Sequence, residues 1–209
     1  MTQVADVRHG LRGPGVKNGR VHGALQPRTR TARPPAGDGG AAALPGFFYR
    51  LAPRDQKAYL RSEATDAYDL AAGVNAAALA EALVAALDSG GSLASTGRAA
   101  QALVTELCRS AGVRAVPIEV KGARPRNARG ELHGIFYPDA PRIVLWTRTA
   151  IRGDVVKPRT FVRTLMHELA HYLDYALLRL GNSYHTRGFF KRESFLVRAV
   201  LPSFDGEHQ

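Results

Sequence analysis

The chain has 209 residues, of which 45% are hydrophobic, and it carries a net charge of +11 from 29 Lys+Arg against 18 Asp+Glu. This length suits one domain with a tail. No apolar run approaches the roughly 18 residues that a membrane span needs, so we expect no membrane contact. The single cysteine, Cys108, excludes an internal disulfide framework. With no apolar leader at the N-terminus, a cytoplasmic protein is expected.

Residues 1–45 are predicted to form a basic, disordered tail. The stretch 27–40 is rich in Pro, Gly and Arg and offers almost nothing to bury. Such a tail serves either as a nucleic-acid tether or as a solvated extension without a dedicated role. The remaining residues, 46–209, are predicted to form a single domain.

Three helices are predicted in the first half of this domain. Pro53 precedes a short helix over 54–61, because proline is tolerated in a first turn. Residues 75–88 are rich in Ala and Leu and keep an apolar stripe. A third helix covers about 96–111 and is ended by Gly112. None of these segments has the residue spacing of a site, so we interpret them as scaffold.

Three strands are predicted next, over 116–120, 132–138 and 142–146, because these segments are rich in β-branched and aromatic residues. The loop Lys121–Arg129 carries four basic residues and no acid. At a hairpin tip between the first two strands, it either grips phosphates or stays solvated. The strand 142–146 is predicted at the sheet edge, where an extended substrate pairs as an added strand.

The next helix, predicted over 158–180, contains the order His-Glu-x-x-His. His167 and His171 are four residues apart, so they lie on one helix face and can bind one metal ion, usually Zn²⁺. Glu168 projects about 100° away around the helix, where it can reach a water on the metal. The helix is apolar nearly all round, so buried polar groups on it need partners such as a metal ion.

A catalytic zinc site needs a third protein ligand and an open position for water. His185 follows a Gly-Asn turn at which the chain can reverse, and it is our prediction for this ligand. Glu193 lies further along the next helix and remains an alternative. Asp174 is one turn beyond His171 and could also bind the metal, but it fits better as an acceptor for the ring N–H of a ligand histidine.

The segments His167-Glu-Leu-Ala-His171 and His185-Thr-Arg-Gly-Phe189 together resemble the SprT-like zinc metallopeptidases, which include the Spartan-type proteases. In that family the third ligand histidine opens the next helix, with an aromatic residue four positions later. The resemblance implies an α+β, minimal zincin-like fold. Its parts are N-terminal helices, a small three-stranded sheet, the HExxH helix and a following third-ligand helix. The chain departs from the family at Thr186, a position that is often Gly, and it has no cysteine motif after the core.

Together these features predict a zinc-dependent metallopeptidase acting on protein or peptide substrates. Glu168 is expected to take a proton from a zinc-bound water and to pass it to the leaving amine. Tyr184, Tyr172 and Arg187 are candidates for a further oxyanion donor. The alternative is a non-enzymatic zinc-containing protein that binds nucleic acid or acts as a regulator. The +11 charge, the basic tail and the Lys121–Arg129 loop favour that alternative.

Overall fold

The computed structural model describes residues 22–23, 44–71, 75–127 and 130–201. Within these ranges the fold is α+β, as predicted, with five α-helices and a small sheet. The helices are α1 Pro53–Ala64, α2 Ala76–Asp88, α3 Leu93–Ser110, α4 Pro158–Ala176 and α5 Arg187–Val200. The strands are β1 His22–Gly23, β2 Ile118–Ala123, β3 Arg126–Asn127, β4 Gly130–Glu131, β5 Gly134–Tyr137 and β6 Arg142–Arg148.

The predicted helices are confirmed, with shifts at their ends that have local causes. Proline occupies the first turn of both α1 and α4, where its missing N–H is tolerated. α3 begins at Leu93, earlier than predicted, because the Ser92 hydroxyl accepts a hydrogen bond from the Ser95 N–H at 3.1 Å. A serine in this position satisfies one of the unpaired N–H groups of a first helical turn.

α4 ends at Ala176, four residues before the predicted end at Leu180. Arg179 adopts φ 52°, a left-handed conformation that is uncommon for a residue other than glycine. The Leu180 N–H then donates to the carbonyl oxygen of Asp174 at 2.8 Å, which closes the helix end. The chain therefore turns before Gly181, and the residues that follow return toward α4.

The main sheet has the order β1-β5-β6-β2. β2 pairs in parallel with β6, with Ile118 opposite Ile143, and β5 pairs antiparallel with β6, with Gly134 opposite Leu145. The prediction that the strand over 142–146 lies at the sheet edge is therefore wrong, because β6 has a neighbour on each side. In a simple antiparallel meander one edge of β6 would be unpaired, but here that edge pairs in parallel with β2.

The Lys121–Arg129 loop is not the tip of a hairpin between β2 and β5, so that expectation is also wrong. β2 and β5 do not pair, and the segment between them forms its own hairpin, β3–β4. Arg124 in this segment is buried, with its Nη1 3.6 Å from Glu131 Oε2. Residues 128–129 lie outside the described residues, so phosphate binding by this loop stays a prediction.

Two residues of the predicted tail belong to the sheet. β1 pairs antiparallel with β5, with His22 opposite Phe136 and Gly23 opposite Ile135. Residues 1–21 and 24–43 lie outside the described residues, so disorder in them stays a prediction.

An apolar core links α2, α3, α4 and the sheet. Its fully buried members include Leu83 on α2, Leu107 on α3 and Leu169 on α4. Cys108 is buried in this core, as predicted, and burial raises the pKa of its thiol to about 11. α4 packs against β5 and β6 and also contacts α2 and α5. In the part of the chain that the structure describes, no helix combines the length and the apolar character needed to cross a membrane.

Candidate metal centre

Three histidine side chains converge at the junction of α4 and the turn before α5. The Nε2 atom of His185 lies 3.1 Å from Nε2 of His171 and 3.1 Å from Nε2 of His167. His167 and His171 are both buried, whereas His185 is exposed. Among the described residues, these three form the group whose ligand atoms could hold a metal ion. The structure thus brings the Nε2 atom of His185 to the Nε2 atoms of both helical histidines.

The spacing of these nitrogen atoms suits a small tetrahedral ion. Two nitrogens bound to one zinc ion at the usual distance lie about 3.3 Å apart in tetrahedral geometry. The observed 3.1 Å separations need only small adjustments to reach that value. A donor set of three imidazoles also matches zinc, and it leaves a fourth position for water or substrate. The residues present therefore fit a Zn²⁺ ion.

The second ring nitrogen of His171 contacts a buried chain of polar groups. Its Nδ1 lies 2.8 Å from the Ser183 hydroxyl, which donates to Asp174 Oδ2 at 2.7 Å. Asp174 Oδ1 accepts from the Tyr68 hydroxyl at 2.9 Å. Asp174 is therefore not a member of the Nε2 cluster. It contacts Ser183, which in turn contacts His171, so the direct acceptor role predicted for it stays a prediction.

Arg192 on α5 completes this buried chain. Its Nε donates to Asp174 Oδ1 and its Nη2 to Asp174 Oδ2, each at 3.0 Å. Nη2 also donates to the Ser62 hydroxyl, and Nη1 donates to the carbonyl oxygens of Ser62 and Thr65. All five N–H donors of the guanidinium are thus engaged, as a fully buried arginine requires. Burial raises the pKa of Asp174, although the contacts with Arg192 and Ser183 act to lower it.

The second ring nitrogen of His167 has a different partner. Its Nδ1 lies 3.4 Å from Glu193 Oε2, on the side of the ring away from the Nε2 cluster. Burial acts to lower the pKa of His167, but the contact with Glu193 and the charge of Glu168 raise it, with a net increase. Glu193 thus contacts the Nδ1 atom of His167, whereas His185 contacts its Nε2 atom.

Glu168 is fully buried on α4 and lies against β5. A methyl group added at Gly134 would come within 2.9 Å of Glu168 Cγ and 3.0 Å of its Oε1. It would also meet the Thr164 side chain at 2.7 Å. Glycine at position 134 therefore lets the strand approach the glutamate closely, because any larger residue would displace it.

His185 is held by the start of α5. Thr186 is the residue before this helix, and its hydroxyl accepts a hydrogen bond from the Phe189 N–H at 3.0 Å. The Thr186 hydroxyl is also 2.9 Å from that of Ser62 on α1. The ring of Phe189 lies among the three imidazoles, and Phe190 stacks on His185 with centroids 5.8 Å apart. Threonine at the position that is often Gly in the resembled family thus acts here as a helix cap.

The three candidates for an additional oxyanion donor have contacts elsewhere. The Tyr172 hydroxyl donates to the Arg114 carbonyl at 2.6 Å, which engages its only hydrogen. Tyr184 accepts a hydrogen bond from the Asn182 amide at 2.8 Å. Arg187 is exposed, and its Nε donates to a Glu63 carboxylate oxygen at 2.7 Å. These contacts link the candidates to the scaffold and do not by themselves give any of them a catalytic role.

Four residues of the centre were not predicted from the sequence: Ser183, Thr186, Arg192 and Gly134. Two of them have a recognisable sequence pattern. Thr186 stands three residues before Phe189 at a helix start, the spacing of a helix cap. Arg192 interrupts the apolar stripe of α5, so a buried partner for its charge is required. Ser183 and Gly134 have no such signal, because only the folded chain shows what lies beside them.

Comparison of the chain with models of protein families, with curated proteins and with solved structures gave no match.

Proposed function

We propose that this protein is a zinc-dependent metallopeptidase with a minimal zincin-like fold, similar to the SprT-like enzymes. The observation that carries the proposal is the convergence of three histidine Nε2 atoms next to a helix that also carries a buried glutamate. A purely structural zinc site usually has four protein ligands and no use for a general base. Three imidazoles with Glu168 one residue after His167 are the residue types that metal-assisted hydrolysis uses.

In this proposal each residue has a separate task. His167, His171 and His185 hold the ion through Nε2. Zinc supplies Lewis-acid chemistry, in that it lowers the pKa of water and polarises a carbonyl group. Glu168 takes the proton from the attacking water and delivers it to the nitrogen of the leaving amine. Gly134 leaves the space in which the Glu168 side chain sits.

The substrate is proposed to bind in an extended conformation along β5. This strand contacts α4, and its residue Gly134 abuts Glu168. Its outer edge pairs with β1, which shows that this edge accepts an antiparallel strand. A substrate peptide would form the same backbone hydrogen bonds in place of β1. Deletion of residues 1–45 should therefore raise kcat/KM on an unfolded protein such as casein, whereas a decrease would contradict this binding mode.

The proposed chemistry is tested by two substitutions with a matched control. Glu168→Gln should keep one zinc ion per chain and lose hydrolysis of casein by a factor of about 10²–10⁴. His185→Ala should lose both zinc and hydrolysis. Glu81→Gln, on the exposed face of α2, is the control and should change neither. Zinc content is measured by mass spectrometry on purified protein, and equal cleavage by wild type and Glu168→Gln would reject the mechanism.

The third ligand is tested on the same protein. Glu193→Ala should retain stoichiometric zinc, although more weakly bound, because Glu193 contacts Nδ1 of His167 and not the Nε2 cluster. Loss of zinc from Glu193→Ala together with its retention in His185→Ala would reverse the assignment.

A non-enzymatic protein that binds nucleic acid is the second candidate, and the net charge of +11 favours it. Its test is the salt dependence of DNA binding by the full chain and by a chain without residues 1–45. Strong, salt-sensitive binding combined with no hydrolysis by the zinc-loaded protein would favour this candidate over the peptidase.

A further inference from the structure

We propose that Arg192, Asp174 and Ser183 form a positioning relay that fixes the ring tautomer of His171, with the proton on Nδ1 and the lone pair of Nε2 directed at the other two histidines. The inference rests on the proposed zinc site but not on hydrolysis.

The groups around the Asp174 carboxyl are hydrogen-bond donors, an arrangement that suits an accepting carboxylate. Each carboxylate oxygen receives one N–H from the Arg192 guanidinium at 3.0 Å. Oδ2 receives the Ser183 hydroxyl. The Tyr68 hydroxyl lies 2.9 Å from both Oδ1 and the Ala170 carbonyl oxygen, which share its one hydrogen. A guanidinium is never deprotonated in a protein, and a carboxylate that accepts two of its N–H groups has no need of a proton of its own.

Ser183 links the accepting carboxylate of Asp174 to the ring of His171. A hydroxyl group has one hydrogen, and that of Ser183 is directed at Asp174 Oδ2, 2.7 Å away. Toward His171 Nδ1, at 2.8 Å, the Ser183 oxygen can therefore only accept. The neutral imidazole must then carry its proton on Nδ1, which leaves the lone pair of Nε2 facing the other two histidines.

The relay also fixes where the ring points. Ser183, Asp174 and Arg192 are all buried, so none of them can exchange its partner for bulk water. Arg192 further donates to Ser62 and Thr65, so the relay ties α1, α4 and α5 together at the centre. In the described residues, Nδ1 of His167 contacts Glu193 Oε2 at 3.4 Å, a longer distance than the 2.8 Å between His171 Nδ1 and Ser183. The ring of His171 is consequently held by a shorter contact than the ring of His167, and that contact continues to Asp174.

The test uses the full-length chain in its metal-free and zinc-bound forms. Nitrogen-15 NMR of the imidazoles reports which ring nitrogen of His171 carries the proton, and chelator competition gives the zinc Kd. In the wild type, metal-free His171 should be mainly the Nδ1–H tautomer. Ser183→Ala should shift the population toward Nε2–H and raise the zinc Kd about 10–100-fold.

Ser110→Ala is the matched control, because Ser110 is also buried and its hydroxyl donates to a backbone carbonyl, that of Ala71. It should leave the tautomer of His171 and the zinc Kd unchanged, even where it lowers stability. Asp174→Asn is a second variant that keeps the shape of the carboxyl group. It lets Ser183 donate to Nδ1 instead, and it should therefore produce the same tautomer shift and a similar loss of zinc affinity.

A wild-type tautomer and a zinc Kd within threefold of wild type in both Ser183→Ala and Asp174→Asn would overturn the relay. An effect of equal size in Ser110→Ala would overturn it too, since the change would then reflect stability alone. Neither measurement involves peptide cleavage. A protein that shows the tautomer shift but cleaves nothing would retain the relay and lose the proposed peptidase function.

Discussion

The two sides of α4 are built from opposite kinds of chemistry. The core that joins α4 to α2 and the sheet consists of aliphatic and aromatic side chains, which contribute through apolar area removed from water. Toward α5, the buried side chains include His171, Asp174, Ser183 and Arg192, which are costly to bury and depend on mutual hydrogen bonds. One side of the helix is thus stabilised by apolar burial, and the side toward α5 by hydrogen bonds between buried polar groups.

This division predicts that breaking the polar side is the most damaging change. Arg192→Met would leave the Asp174 carboxylate buried without its ion-pair partner. The free energy of unfolding of the metal-free protein should fall by about 3–5 kcal/mol. Arg198→Met, at an exposed position on the same helix, is the control and should stay within about 0.5 kcal/mol of wild type. Urea denaturation measures the free energy of unfolding of both variants. A similar small decrease in the two would show that the buried polar groups do not contribute to stability as proposed.

On the apolar side, a cavity should lower stability without changing the site. Leu83→Ala on α2 removes a fully buried side chain and should cost about 2–5 kcal/mol. Its zinc Kd should stay within threefold of wild type, because Leu83 belongs to the apolar core and not to the polar network. Leu79→Ala, which is only partly buried, should cost less. A large loss of zinc affinity in folded Leu83→Ala would show that the two faces are coupled.

Gly134→Ala tests the close contact between strand β5 and Glu168. The added methyl group would overlap the Glu168 and Thr164 side chains, so the cost in stability should be about 1–3 kcal/mol. Because Glu168 must shift, casein hydrolysis should fall at least tenfold while zinc content is kept. Gly122→Ala on β2 is the control, since its added methyl group would meet no heavy atom within 4 Å. Unchanged hydrolysis in Gly134→Ala would contradict the proposal that the position of Glu168 beside β5 matters for hydrolysis.

The smallest effect is expected at the helix caps. Thr186→Ala and Ser92→Ala each remove a hydroxyl that accepts a backbone N–H at a helix start, and each should cost about 1 kcal/mol. Only Thr186 adjoins His185, so only its loss should also weaken zinc binding severalfold. Thermal unfolding and chelator competition on the two variants separate these outcomes. Equal zinc affinity in both would show that α5 holds His185 without its cap.

Much of the scaffold and the centre of the candidate site could be predicted from the sequence. The four-residue spacing places His167 and His171 on one helix face whatever the rest of the chain does, because the period of a helix is a local property. The turn after α4 made His185 a reasonable third member. Helix positions followed from proline, glycine and apolar periodicity in the same local way.

Only the tertiary structure decided which groups surround those histidines and where the strands lie. The interior position of β6 and the pairing of β1 with β5 depend on contacts between distant segments, which local patterns do not encode. Ser183, Arg192 and Gly134 likewise acquire their roles from side chains that the fold brings beside them. The sequence by itself thus determined the three imidazoles and the glutamate, whose relation is set by helix geometry and one turn. The hydrogen bonds that orient them were decided by packing between α1, α4 and α5, because burial is what requires each polar group to find a partner.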